Sequence, residues 1–113
     1  DMPDCLFCSI VEGEIPADIV YENEHVLAFK DINPQAPYHA LVIPRQHVAT
    51  VADLETDGMM DELTRAANIL ARQEGIVEDG YRLVVNCNEN GGQAVYHLHM
   101  HILGGRAMKW PPG

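Results

Sequence analysis

The chain has 113 residues, enough for one domain that buries roughly two thirds of the surface its unfolded form exposes. Its 7 Lys and Arg against 17 Asp and Glu give a formal net charge of -10, which opposes non-specific attachment to nucleic acid or to an anionic membrane. Any phosphate it binds is therefore held by local geometry. No apolar run approaches the roughly 20 residues of a membrane span, and the N-terminal stretch lacks the regions of a signal peptide, so the expectation is a cytoplasmic protein with neither membrane nor nucleic-acid partner. Cys5, Cys8 and Cys87 form an odd set of cysteines, which argues against a disulfide framework.

Leu6 to Val11 is apolar enough for a short helix stopped by Gly13 and Pro16. Ile19-Val20-Tyr21 and Val26-Leu27-Ala28-Phe29 are β-rich runs separated by Glu22 to His25, which predicts a hairpin. The segment Asp31 to Pro37 carries two prolines and breaks regular structure before a third strand over His39 to Pro44. Met59, Leu63, Ala66, Ala67 and Leu70 follow helical spacing, with Thr56 or Asp57 as N-cap and Gly75 as the stop, so this helix should cover one face of a sheet. Two last strands are predicted at Tyr81 to Asn86 and Tyr96 to Leu103, joined by a loop over Cys87 to Val95 with Gly91-Gly92 inside it. The expected fold is α+β: a single domain over residues 1–113 with five mainly antiparallel strands, one long helix and one short one.

The run Tyr96-His97-Leu98-His99-Met100-His101-Ile102 is the most informative stretch. In a strand the three imidazoles share one face and Tyr96, Leu98, Met100 and Ile102 share the other. Packing explains the apolar face. The histidine face points to chemistry, because imidazole is near-neutral in pKa and suited to nucleophilic attack, proton transfer and metal binding. Asn86 and the Gly91-Gly92-Gln93 turn stand just upstream, where small residues can expose backbone N–H groups to an anion, although glycine pairs also occur in plain hairpins. Cys5-Leu6-Phe7-Cys8 has the spacing of half a zinc site, and equally of a redox pair or two buried thiols. With His47 and His97 it would complete a Cys₂His₂ site tying the N-terminal helix to the sheet.

These residues closely resemble the histidine-triad nucleotide-binding proteins, the Hint branch of the HIT superfamily. The resemblance runs from Phe7-Cys8-Ser9-Ile10 through Asp31-Ile32, Pro34-Gln35-Ala36-Pro37, Leu41-Val42-Ile43-Pro44 and the histidine run to Leu103-Gly104-Gly105-Arg106 and Trp110-Pro111-Pro112-Gly113. It implies the HIT fold, a homodimer with one continuous sheet, and hydrolysis of AMP- or GMP-type purine nucleoside phosphoramidates through a nucleotidyl-histidine. It gives His99 the role of nucleophile and His39, His97 and His101 that of supporting histidines. It places Phe29 and Ile32 around the base, Asp31 at the ribose, and Asn86, Gly92, Gln93, His99 and His101 around the phosphate, with Trp110 reaching the partner's pocket. Ala94 departs from many such sequences, which carry Ser or Thr there, so a hydroxyl contact to phosphate is absent. Structural zinc at Cys5, Cys8, His47 and His97 also follows, with no metal needed for the chemistry. The alternatives are a dinucleoside polyphosphate hydrolase or nucleotidyl transferase, or a nucleotide-binding regulatory or scaffold protein.

Overall fold

The computed structural model of this chain describes residues 4–55 and 58–113. Its sheet consists of β1 (Ile19–Glu22), β2 (Val26–Lys30), β3 (Tyr38–Pro44), β4 (Tyr81–Val84) and β5 (Met100–Gly104), in the order β1-β2-β3-β5-β4 with every neighbour antiparallel. β3 lies at the centre, and all seven of its residues are buried. That matches its unbroken apolar character, since a strand covered on both faces needs no polar alternation.

The pleat sorts the core into two layers. Val26, Ala28, Ala40, Val42, Leu98, Met100 and Ile102 pack beneath the long helix α2 (Met59–Glu74), which contributes Leu63, Ala66, Ala67 and Leu70. On the opposite face Leu27, Phe29, Leu41 and Ile43 pack against the short helix α1 (Leu6–Val11) through Phe7, Cys8 and Ile10. α2 ends where expected, at Gly75, whose φ of 70° is a left-handed conformation that glycine adopts without Cβ strain. The N-caps expected at Thr56 or Asp57 lie outside the described residues, and Gly58 directly precedes the helix without a side-chain cap.

Two features differ from the sequence reading. The loop over Cys87 to Val95 contains one helical turn, α3 (Asn88–Gly91), closed by Gly92 at a φ of 80°. The last strand begins at Met100 rather than Tyr96. Continuing the β3–β5 register, in which Val42 faces Met100, would set Leu98 opposite Pro44, and proline has no N–H for a ladder. Leu98 N–H instead donates to Val48 O at 2.6 Å, so residues 97–99 are tied to the segment after β3. Tyr96 is exposed and does not share the buried face with Leu98.

Among the described residues, no helix is long and apolar enough to cross a membrane.

Candidate active site

The face of the sheet beneath α1 carries His39 on β3 and His101 on β5, diagonal across a ladder in which His39 faces Leu103 and His101 faces Leu41. Gln35 N–H donates to His39 Nδ1 at 3.0 Å. A ring nitrogen that accepts from a backbone amide is unprotonated, so the neutral His39 keeps its proton on Nε2, which lies 2.9 Å from His101 Nδ1. Asp31 Oδ2 lies 3.5 Å from the same His39 Nε2. Burial holds His39 below the ordinary histidine pKa, with the Asp31 charge opposing that shift. Burial, followed by the neighbouring His99 and His39 charges, lowers His101 to about 4. His101 is therefore neutral near pH 7.

His99 stands 5.1 Å from His101, ring centre to ring centre, and packs edge-on against Phe7 at 5.2 Å. Its Nδ1 lies 2.8 Å from His97 O. A carbonyl only accepts, so Nδ1 carries the proton and Nε2 keeps its lone pair. His99 and His101 open onto a cavity of about 290 Å³ walled by Phe7, Ile10, Phe29 and Leu41, with Asp31, Ile32 and Ala94 also lining it. Ile32 is fully exposed at this rim. An apolar cleft of this size with a few convergent polar groups suits a planar heterocycle attached to a polar group.

His97 goes elsewhere, which corrects the expectation of three imidazoles on one strand face. Leaving the strand before Met100 releases it from the pleat, and its side chain is fully buried among Cys5, Cys8 and His47. Its Nε2–H donates to Pro44 O at 2.8 Å, which turns Nδ1 toward Cys5 Sγ at 3.4 Å, Cys8 Sγ at 3.5 Å and His47 Nδ1 at 3.3 Å. His47 Nδ1 is 3.3 Å from Cys8 Sγ. A tetrahedral zinc with bonds of about 2.3 Å to sulfur and about 2.0–2.1 Å to nitrogen has N–N edges of roughly 3.4 Å and S–N edges of roughly 3.5 Å. The three S–N and one N–N separations above stand within about 0.2 Å of those edges, and all four donor atoms lie within 4.8 Å of one another. The Cys8 N–H directed at Cys5 Sγ, 3.3 Å away, is the kind of outer contact that steadies a thiolate. This donor set fits structural zinc, with every tetrahedral position filled by protein.

Two further expectations shift. The N–H groups of Gly92 and Gln93 donate to Glu89 O and Asn88 O, so both amides are used in closing α3 and neither is free for a phosphate. The Gln93 side chain is a buried brace: its Oε1 accepts from Asn88 N–H, and its Nε2 donates to Ala49 O and Val95 O. Asn86 stands behind the turn rather than among the cavity-lining residues, its backbone 3.7 Å from where a Cβ on Gly91 would sit. Trp110 is 82% exposed, and the adjacent Lys109 O accepts from Arg82 of β4 at 2.9 Å. Sequence reasoning did not single out Phe7, which meets both Phe29 (5.3 Å) and His99 (5.2 Å) edge-on. The available signal was its place on the buried side of a short apolar helix.

Residues 12–108 match the HIT domain family. The chain is 50% identical over 105 residues to the purine nucleoside phosphoramidase of Escherichia coli K12, covering 91% of this chain and 88% of that protein. It is 49% identical over 112 residues to a 14 kDa zinc-binding protein of Zea mays, covering 96% and 87%. The crystal structure of a HIT family hydrolase from Legionella pneumophila superposes with a TM-score of 0.95 at 54% identity, covering 97% of this chain and 100% of that one. With the family matched over most of its length and its histidine cluster in place, the chain belongs to the HIT domain family.

Proposed function

We propose that this protein is a purine nucleoside phosphoramidase, hydrolysing AMP- and GMP-type phosphoramidates through a nucleotidyl intermediate on His99. The observation that carries this reading is the orientation of His99. Its Nδ1 proton is committed to His97 O, which leaves the lone pair on Nε2 of a ring that lines the apolar cavity 5.1 Å, centre to centre, from His101. The purine lies between Phe29, Phe7 and Ile32, and the Asp31 carboxylate accepts from the ribose hydroxyls. His99 Nε2 attacks phosphorus, the P–N bond breaks, and the amine departs with a proton taken from water. Water then attacks the phosphorus–imidazole bond and releases the nucleotide. His101 supplies the Nε2–H that offsets charge on a phosphoryl oxygen, and the backbone N–H of Ala94 takes the donor role expected of Gly92 and Gln93.

Zinc bound by Cys5, Cys8, His47 and His97 joins α1 to the sheet and takes no part in these steps. The protein works as a homodimer. The Arg82–Lys109 hydrogen bond holds the C-terminal tail at the β4 edge, where the exposed Trp110 is available to a partner joined along that edge.

The test offers the purified protein adenosine 5′-phosphoramidate and a dinucleoside polyphosphate, compares kcat/KM, and maps the trapped nucleotide by mass spectrometry. Preference for the phosphoramidate with the adduct on His99 is expected. Equal or greater efficiency on the dinucleotide, or an adduct on another residue, overturns the proposal.

A further inference from the structure

We infer that Arg106 is a positioning residue for catalysis, acting through the backbone of Gln35 to hold His39 and His101 in the tautomers the reaction needs. Arg106 follows β5, and its guanidinium reaches back across 71 positions to the loop before β3. Its Nη2–H and Nε–H both donate to Gln35 O, at 3.0 Å and 3.3 Å, while Nη1–H donates to Ala107 O at 3.0 Å. The turn is pressed against that loop: a Cβ on Gly105 would lie 2.8 Å from Pro37 Cβ. The Gln35 carbonyl and the Gln35 N–H belong to adjacent peptide planes that share one Cα. Fixing the carbonyl therefore restrains the amide that donates to His39 Nδ1 at 3.0 Å.

The consequence passes along the chain of donors. With His39 Nδ1 accepting, the proton sits on Nε2 and is given to His101 Nδ1 at 2.9 Å, which leaves the His101 proton on its own Nε2. His101 lines the cavity, so a donor faces the phosphoryl group. If Gln35 N–H swings away, His39 can hold its proton on Nδ1 and accept at Nε2 from His101 Nδ1–H. His101 Nε2 then presents a lone pair to an anionic oxygen. A guanidinium on the far side of the loop thereby acts together with the Asp31 carboxylate, 3.5 Å from His39 Nε2, in setting whether the phosphate meets a donor or an acceptor.

The kinetic arm of the test rests on the phosphoramidase reading, and the spectroscopic arm does not. Long-range ¹⁵N–¹H spectra of the histidine rings are recorded for the holoprotein, for Arg106→Ala and for Arg106→Lys, which retains one N–H for Gln35 O. Turnover of adenosine 5′-phosphoramidate and thermal melting are measured on the same samples. The wild type should show His39 and His101 protonated at Nε2. Arg106→Ala should show the Nδ1-protonated form of His39 together with a fall in kcat of about tenfold at unchanged KM, a fraction of what losing one oxyanion donor outright costs. Arg106→Lys should recover most of both. A lower melting temperature with wild-type tautomers and wild-type kcat overturns the inference and leaves Arg106 a structural residue. A changed tautomer at undiminished kcat overturns it as well. Absence of turnover in the wild type refutes the phosphoramidase reading, and the ring spectra then decide the positioning role alone.

Discussion

The carbonyl of His97 accepts the Nδ1–H of His99 at 2.8 Å, while the His97 ring belongs to the Cys₂His₂ cluster. One residue thus has its side chain in the candidate zinc cluster and its backbone on the histidine proposed as nucleophile. The two roles share no atom, because the imidazole faces the sulfurs and the carbonyl accepts from the His99 ring.

The metal should dominate stability. Purified protein should carry about one zinc per chain, and Cys8→Ser should lose it with a fall in Tm on the order of 10 °C or more. Below its melting point that variant should keep measurable turnover, since the His97 peptide is also held by the adjoining Leu98 N–H to Val48 O. Metal analysis with thermal melts checks this. Zinc-free wild-type protein melting at the same temperature would contradict it.

Replacing the nucleophile separates binding from bond-making. His99→Ala should lower kcat by at least about 10³-fold, because the atom that bonds to phosphorus is gone. Nucleotide should still bind, because Phe29, Asp31 and Ile32 line the cavity independently of residue 99. Turnover assays alongside calorimetric titration with AMP measure the two effects. Undiminished turnover in a folded variant would remove His99 from the mechanism.

Acid should weaken the fold through His101. Its native pKa of about 4 lies below the ordinary 6.5, so between those values the unfolded chain binds more protons than the native one. The stabilisation is complete above about pH 6.5 and is lost as pH falls through about 4. His39, lowered by burial, acts in the same direction. Urea unfolding across this window should show stability rising with pH, with a flatter rise in His101→Asn. Equal slopes in the two proteins would count against a neutral, buried His101.

The hydroxyl of Tyr38 is buried without a hydrogen-bond partner among the described residues, and burial, with the Glu74 charge second, raises its pKa to about 12. An unmet buried donor costs stability, so Tyr38→Phe should be neutral or stabilising by up to about 1 kcal/mol. Denaturant unfolding reads this directly, and a loss exceeding that amount would show that the hydroxyl has a partner in solution.

Removing Met108 to Gly113 should alter substrate preference more than the chemical step, since His39, His99 and His101 lie outside the segment. Light scattering should give the mass of a dimer for the full chain at micromolar concentration. A monomer there would exclude a partner-supplied Trp110.

Much of this protein is written locally. The apolar spacing from Met59 to Leu70, the stop at Gly75, the alternation through Met100 and Ile102 and the continuous apolar run of β3 gave helix, strands and core, because burial periodicity is a property of neighbouring residues. Cys5, Cys8, His47 and His97 were legible as a set because metal ligation tolerates few residue types. Their convergence required the fold, which brings His47 to 3.3 Å from Cys8, 39 positions away, and to 3.3 Å from His97, 50 positions away. Spacing did not reveal that His97 turns from the pleat, since that follows from Pro44 opposing Leu98 across a ladder set by register. Nor did it reveal that the local turn α3 uses the Gly92 and Gln93 amides, that Phe7 abuts His99, or that Arg106 meets Gln35. The last two depend on which distant surfaces touch, and only long-range packing decides that.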